Sequence, residues 1–311
     1  MMDDTVVITT SAPGSLMLLG EHAVLHGYHA LVGAINRRIT VQLTQTETDF
    51  VRIFSILGEY QAPLNDLVDH SSFGFVIQAI RQQAEHIPTG FDLKIDSDFS
   101  STIGFGSSAA VTVATHAALM AWIMGEEPHR ETLFNQSLKT VHEVQKSGSG
   151  SDVAASVFGG MVGYTTAPEF HPLELSVPLT AVYCGYKTPT PEVILKVEQM
   201  RNEDPAKYER IYATIDASVM EAIDGLRNHD FPAFGEVLNR NQELMDEIGV
   251  NTPELQEIVS ALQAAPDVFG AKISGSGLGD CAIGVGYADL AGLAYPVHRL
   301  EITSAGILYH G

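Results

Sequence analysis

Positive charge is scarce in this chain. Its 311 residues include 17 Lys and Arg against 38 Asp and Glu, a formal net charge of −21. No Lys/Arg cluster interrupts the acidity. Nucleic acid is therefore not expected as a partner, because phosphate-backbone binding favours a basic surface. An anionic small molecule remains open, provided its charge is met locally by backbone N–H groups, a metal ion or a few selected cations. Cysteine is scarce as well. Cys184 and Cys281 lie in apolar, strand-like runs. A disulfide scaffold would carry more, so both read as reduced core thiols of a cytoplasmic protein. "MMDDTVV" has no basic n-region and no apolar h-region, and "AALMAWIMG" is short for a bilayer span. Neither a secretory signal nor a membrane role is expected. No G-x-x-x-x-G-K-[ST] loop and no G-x-S-x-G elbow occurs, which argues against a Walker-type nucleotidase and a serine hydrolase.

Hydrophobic residues, at 45%, suffice for a large core in one big or two medium domains. Strands are expected at 5–10, 15–19, 38–45, 50–56 and 91–96, and helices at 73–87, 107–124 and 130–144, with a short helix opening at Asp152. From about 172 the texture changes. The strand "TAVYCGY" leads into helices at 191–201, 205–227, 231–247 and 253–264; two strands then flank "GSGLGD", and a last helix and strand follow. A strand-rich first half and a helix-rich second half imply an α+β fold of two domains, 1–170 and 171–311.

Three glycine-rich loops carry the chemistry. In "TIGFGSSAAVTVATHAALM" (102–120), Gly104 and Gly106 let backbone approach a ligand, and Ser107 and Ser108 open a helix. Free N–H groups, the helix dipole and two hydroxyls make an anion cradle; the alternative reading is that Ser107 or Ser108 is only an N-cap. "GFGSSA" also fits a dinucleotide-binding pattern, but the acids some 20 residues on, Glu126 and Glu127, follow a helix rather than a strand. In "KSGSGSDVAASVFGG" (146–160), Asp152 is either a helix cap or a carboxylate aimed into a cleft as base for a substrate hydroxyl. "AKISGSGLGDCAIGVG" (271–286) places Gly275, Gly277 and Gly279 between two apolar strands. Alone it would be a hairpin connection; with the other two it suits a phosphate-rich ligand. His22, His26 and His29 invite a zinc reading, yet Ala23 stands where H-E-x-x-H needs Glu.

With its segment "PGSLMLLGEHAVLHG" (13–27), its "TIGFGSSAA" and its "ISGSGLGDCA", the chain resembles the GHMP kinase superfamily over nearly its whole length. The Gly-Glu-His-Ala-Val form is most like mevalonate kinases, while "SGSGSDVAAS" and "SGSGLGDC" lean toward phosphomevalonate kinases. The resemblance implies a ribosomal protein S5 domain 2-like N-terminal domain and a ferredoxin-like C-terminal domain. ATP and a small-molecule acceptor, mevalonate or a relative, would sit between them, with Mg²⁺ as cofactor and a homodimer left open. Gly104, Phe105, Gly106, Ser107 and Ser108 would hold ATP, and Ser108 would ligate Mg²⁺. Asp152 would be the catalytic aspartate, and Glu21, His22, Asp152, Gly275, Ser276 and Gly277 would contact the acceptor. The longer recognition segment of galactokinases is not apparent.

The chain departs from the family pattern twice. Ser15 stands where the family carries a catalytic Lys, and Val141 where many mevalonate kinases place a Mg²⁺-binding Glu. Glu143 is the nearby candidate ligand, and Lys187 or Lys146 the candidate replacement cation. Three functions stay open: a mevalonate kinase, a phosphomevalonate kinase, or a catalytically weakened protein that binds nucleotide or metabolite.

Overall fold

Strand β1 (Val7–Leu19) runs through the middle of the molecule, and its buried stretch from Thr10 to Leu16 explains why both of its faces are small or apolar. The structure, a computed structural model, describes residues 5–166, 170–173 and 175–310. The expected signal-free N-terminus therefore lies partly outside the described residues, as does the chain around the expected domain boundary.

Eight strands form the first sheet. β1 pairs antiparallel with β2 (Ala30–Gln45), whose far half pairs with β5 (Phe91–Ser97); β3 (Phe50–Ser55) joins β5 in parallel, and the hairpin strand β4 (Gly58–Pro63) forms the edge. β6 (Met161–Tyr164) pairs with the near half of β2 and with β7 (Phe170–Leu173). The other side of β1 is covered by β12 (Leu308–His310), with Ser11 opposite Leu308. Helices α1 (Gly74–Gln83), α2 (Ser107–Met124), α3 (Arg130–Gln145) and α4 (Ser151–Phe158) pack on this sheet around one apolar core.

The second sheet is antiparallel throughout, in the order β11 (Val297–Glu301), β8 (Pro178–Tyr183), β10 (Cys281–Val285), β9 (Ala271–Ser274). Between β8 and β9 come α5 (Thr190–Glu203), α6 (Pro205–Arg227), α7 (Phe231–Ile248) and α8 (Pro253–Ala264). Each of these four helices has Pro in its first turn, where a missing N–H costs nothing. The α+β class is as expected. The expected last helix does not form. Gly292, at φ +101°, and Pro296 break that stretch, which runs irregularly from β10 to β11. Strands 5–10 and 15–19 merge into β1, with a register shift at Pro13–Ser15.

α2 corrects a second expectation. The run "AALMAWIMG" is the end of an 18-residue helix that is, by length and composition alone, apolar enough to cross a membrane. Here it is the central core helix, packed on β1, β2, α1, α3 and α4. A separate cluster joins the two sheets: Leu16, Leu18, Leu31 and Phe105 meet Leu179, Phe234, Ile283 and Leu300. That cluster fixes the end of β1 against the second sheet, and the cleft opens there.

Candidate active site

Ser15 ties three elements together. Its hydroxyl donates to Asp152 Oδ1 at 2.7 Å, and its N–H donates to Phe105 O at 3.0 Å. β1, the loop before α2 and the first turn of α4 are thus locked at one residue, itself 1% exposed. Gly106 makes this possible. It has φ +65°, and a Cβ there would lie 2.0 Å from Ser15 Oγ. α2 follows with no side-chain cap; its first intrahelical donor is Ala110, bonding to Gly106 O. Ser107, Ser108 and Ala109 line the cleft with the N–H groups that a helix start leaves without intrahelical partners. Such groups, together with the dipole's positive end, suit an anion.

Asp152 lines the cleft opposite. Burial pushes its carboxyl up, the Ser15 hydrogen bond and the Lys187 charge pull it down, and the Asp280 charge pushes it up again. A carboxylate in such surroundings has the chemistry of a general base toward a hydroxyl.

The end of β1 supplies Glu21 and His22. Glu21 is 2% exposed and forms an ion pair of 2.5 Å with Lys272 of β9, which is fully buried. Lys272 also donates to Ile273 O. Burial pushes Glu21 up and Lys272 down, and each charge opposes the other's neutralisation. Glu21 Oε2 has no hydrogen-bond partner and its residue lines the cleft. His22 holds φ 60°, and its Nε2 lies 2.9 Å from Ser276 O, which assigns the ring proton to Nε2. Burial lowers its pKa, keeping it neutral. Ser274 Oγ donates to Met17 O at 2.9 Å, tying the end of β9 to β1.

The cleft thus gathers Glu21 and His22, the α2 start, residues 148–152, and Ser274, Gly275 and Ser276. Several expected residues lie elsewhere. Phe105 turns its ring into the inter-sheet cluster, edge-on to His298, and contributes only its carbonyl to Ser15. Gly277 packs on Val250 rather than lining the cleft. Glu143 is not at the cleft: Val141 and Gln145 are on that face of α3, and Glu143 points away, accepting from Gln78 Nε2 at 2.6 Å and Gln82 Nε2 at 2.8 Å. Lys146 is likewise outside the cleft lining, whereas Lys187 is in it.

Two residues were not singled out from sequence. Lys272 could have been found as a cation inside the otherwise apolar strand "AKIS", and Asp280 as the acid closing a glycine loop. The three histidines part company: His26 Nε2 meets Glu198 at 2.8 Å, His29 Nδ1 meets Asp216 at 2.8 Å, and no His/Cys/Asp/Glu group able to hold a metal occurs among the described residues. The donors do suit a divalent ion brought in by phosphates. Ser108, Asp152 and Asp280 offer a hydroxyl and carboxylates, and such an ion usually takes one or two carboxylates with its phosphates.

Residues 73–160 match the family model for the GHMP kinases N terminal domain, and residues 222–295 that for the GHMP kinases C terminal domain. Residues 3–45 match the galactokinase galactose-binding signature. The chain is 34% identical to the mevalonate kinase of Archaeoglobus fulgidus over 277 residues, covering 88% of this chain and 91% of that one. It is 29% identical to the mevalonate kinase of Pyrococcus furiosus, over 88% and 87%. The crystal structure of the Methanococcus jannaschii mevalonate kinase superposes with a TM-score of 0.81 at 22% identity, over 97% of this chain and 100% of that one. The Ser15–Asp152 lock beside an uncapped helix start thus sits in a chain that belongs to the GHMP kinases, and it is a small-molecule kinase that uses ATP.

Proposed function

We propose that this kinase transfers the γ-phosphoryl group of ATP to mevalonate, giving 5-phosphomevalonate and ADP. The observation that carries the proposal is the 34% identity to a mevalonate kinase across 91% of that protein. The site supports it. The α2 start and the backbone of Gly104, Gly106, Ser107 and Ser108 would hold the phosphates, and Asp152 would take the hydroxyl proton as the new O–P bond forms and the bond to ADP breaks. Ser15 would hold that carboxylate in line. Glu21, which lines the cleft, would accept a hydrogen bond from the acceptor, and His22 and Ser276 would close around it. Mg²⁺ held by Ser108, a neighbouring carboxylate and the phosphates would offset charge on the transferring group. Catalysis here is mainly placement and electrostatics, so a chain without a basic surface can perform it.

Galactose is the second acceptor to test, because of the signature match over residues 3–45. Phosphomevalonate is disfavoured by the cleft's single lysine among three carboxylates. ADP release should be followed with mevalonate, phosphomevalonate, galactose and homoserine in turn. Turnover with mevalonate far above the others is expected. Preferential turnover of another acceptor, or ATP binding with no turnover at all, would sink the proposal.

A further inference from the structure

Within the cleft, three carboxylates (Glu21, Asp152 and Asp280) face one lysine. Glu21 already has Lys272. The remaining two acids leave a triphosphate in an unfavourable field unless a cation faces it. Lys187 is the cation lining the cleft. Its Nζ lies 3.0 Å from Asp280 Oδ2, with the Lys187 side chain 40% exposed and that of Asp280 17%.

The pair is built into the backbone on both sides. Asp280 N–H donates to Tyr186 O at 2.7 Å, Asp280 O accepts from Cys184 N at 2.9 Å, and Thr188 Oγ1 donates to Leu278 O at 2.5 Å. The 184–188 and 278–280 segments are therefore one unit. That unit abuts the loop before α2: a Cβ on Gly104 would lie 2.2 Å from Asp280 Oδ2. Asp280 is held at φ +74°, a left-handed conformation unfavourable for a side-chain-bearing residue, and its Oδ1 is buried without a partner. A half-exposed ion pair adds little to stability. Strain and an orphaned carboxylate oxygen accumulate instead where geometry serves a ligand.

We infer that Lys187 is the phosphate-binding cation of this cleft, and that Asp280 is the residue that positions it beside Gly104. This rests on the kinase reading of the cleft. An ammonium on a flexible stem suits a mobile terminal phosphate, and Asp280 keeps it over the cleft instead of in bulk solvent. The charge that Ser15 does not supply thereby reaches the transferring group from the second sheet.

The test is calorimetric titration of AMPPNP–Mg²⁺ and ADP–Mg²⁺ into the wild type, Lys187→Met, Lys187→Arg, Asp280→Asn and the Lys187→Met/Asp280→Asn double variant, with steady-state kinetics beside it. Lys187→Met should weaken AMPPNP by about 10- to 100-fold, and ADP less, since one charge-assisted contact to the terminal phosphate is lost. Its kcat should fall by about 100-fold, with acceptor KM within about twofold of the wild type. Lys187→Arg should recover part of the AMPPNP affinity. Asp280→Asn should raise the KM for ATP and leave that for the acceptor. The double variant should stay as impaired as Lys187→Met. Wild-type AMPPNP affinity in Lys187→Met overturns the inference. So does restoration of affinity in the double variant, which would make Lys187 a counter-charge only, and so does a rise confined to acceptor KM. A wild type that binds no AMPPNP also overturns it. A wild type that binds AMPPNP but does not turn over mevalonate defeats the proposed function alone, and the binding comparison still decides the role of Lys187.

Discussion

Ser15 contributes one hydroxyl to the site, and its removal has a signed consequence. The Asp152 carboxyl is raised by burial and held down by the Ser15 hydrogen bond and Lys187, with Asp280 working against them. If Asp152 is the base, activity requires its ionised form. Ser15→Ala removes a bond that favours that form, so the acid limb of kcat/KM should move to higher pH; a pH profile of both enzymes checks this. The Glu21–Lys272 pair makes a second prediction. Lys272→Met leaves Glu21 buried and uncompensated, and should cost about 3–5 kcal/mol in chemical denaturation; adding Glu21→Gln should recover much of it. These residues also show what a sequence discloses. Ser15, Glu21, His22 and Asp152 stand beside glycine patterns that mark close backbone approach, and they were legible. Lys272 and Asp280 were not, because their meaning lies in partners far along the chain: Glu21 is 251 residues from Lys272.

At the scale of the element, helical periodicity decides what spacing alone did not. On α3, Val141 and Gln145 share the cleft face and Glu143 is on another, bonded to Gln78 and Gln82 of α1. Glu143→Gln should therefore leave kcat and its Mg²⁺ dependence within about twofold of the wild type, as surface changes away from a site generally do. On α2, His116 is fully buried with Nε2 against Thr140 Oγ1 at 2.8 Å, and burial lowers its pKa from 6.5 to about 4. Lys139 is the charged group that adds to this shift. The unfolded chain binds the proton first, so stability is complete above pH 6.5 and falls between 6.5 and about 4. The loss is on the order of 3 kcal/mol. Denaturation against pH should show that slope, and His116→Gln should flatten it. Most helices and strands were readable from periodicity and punctuation. The missing last helix was not, because "ADLAGLAYPVHRL" alternates apolar residues at helical spacing while Gly292 and Pro296 prevent closure.

Across the whole molecule, the cluster that joins the sheets matters most. Leu16, Leu18 and Phe105 from the first sheet's side share it with Leu179, Ile283 and Leu300 from the second, and Phe105 is 1% exposed. Two separately folding halves would give two calorimetric transitions. The shared core should give one, and Phe105→Ala should destabilise it by about 3–5 kcal/mol while displacing the carbonyl that fixes Ser15.

β12 adds a temporal dimension. Its bonds to β1 place Leu308 opposite Ser11, so the strand carrying Ser15 stays open along that edge until residues 308–310 have been made. Helices and hairpins of the first half can form as they emerge, but the sheet beneath the reactive cleft cannot close. During that interval a bare strand edge is available to chaperones or to another nascent copy. The kinase thus makes β1 long before the strand that secures its edge.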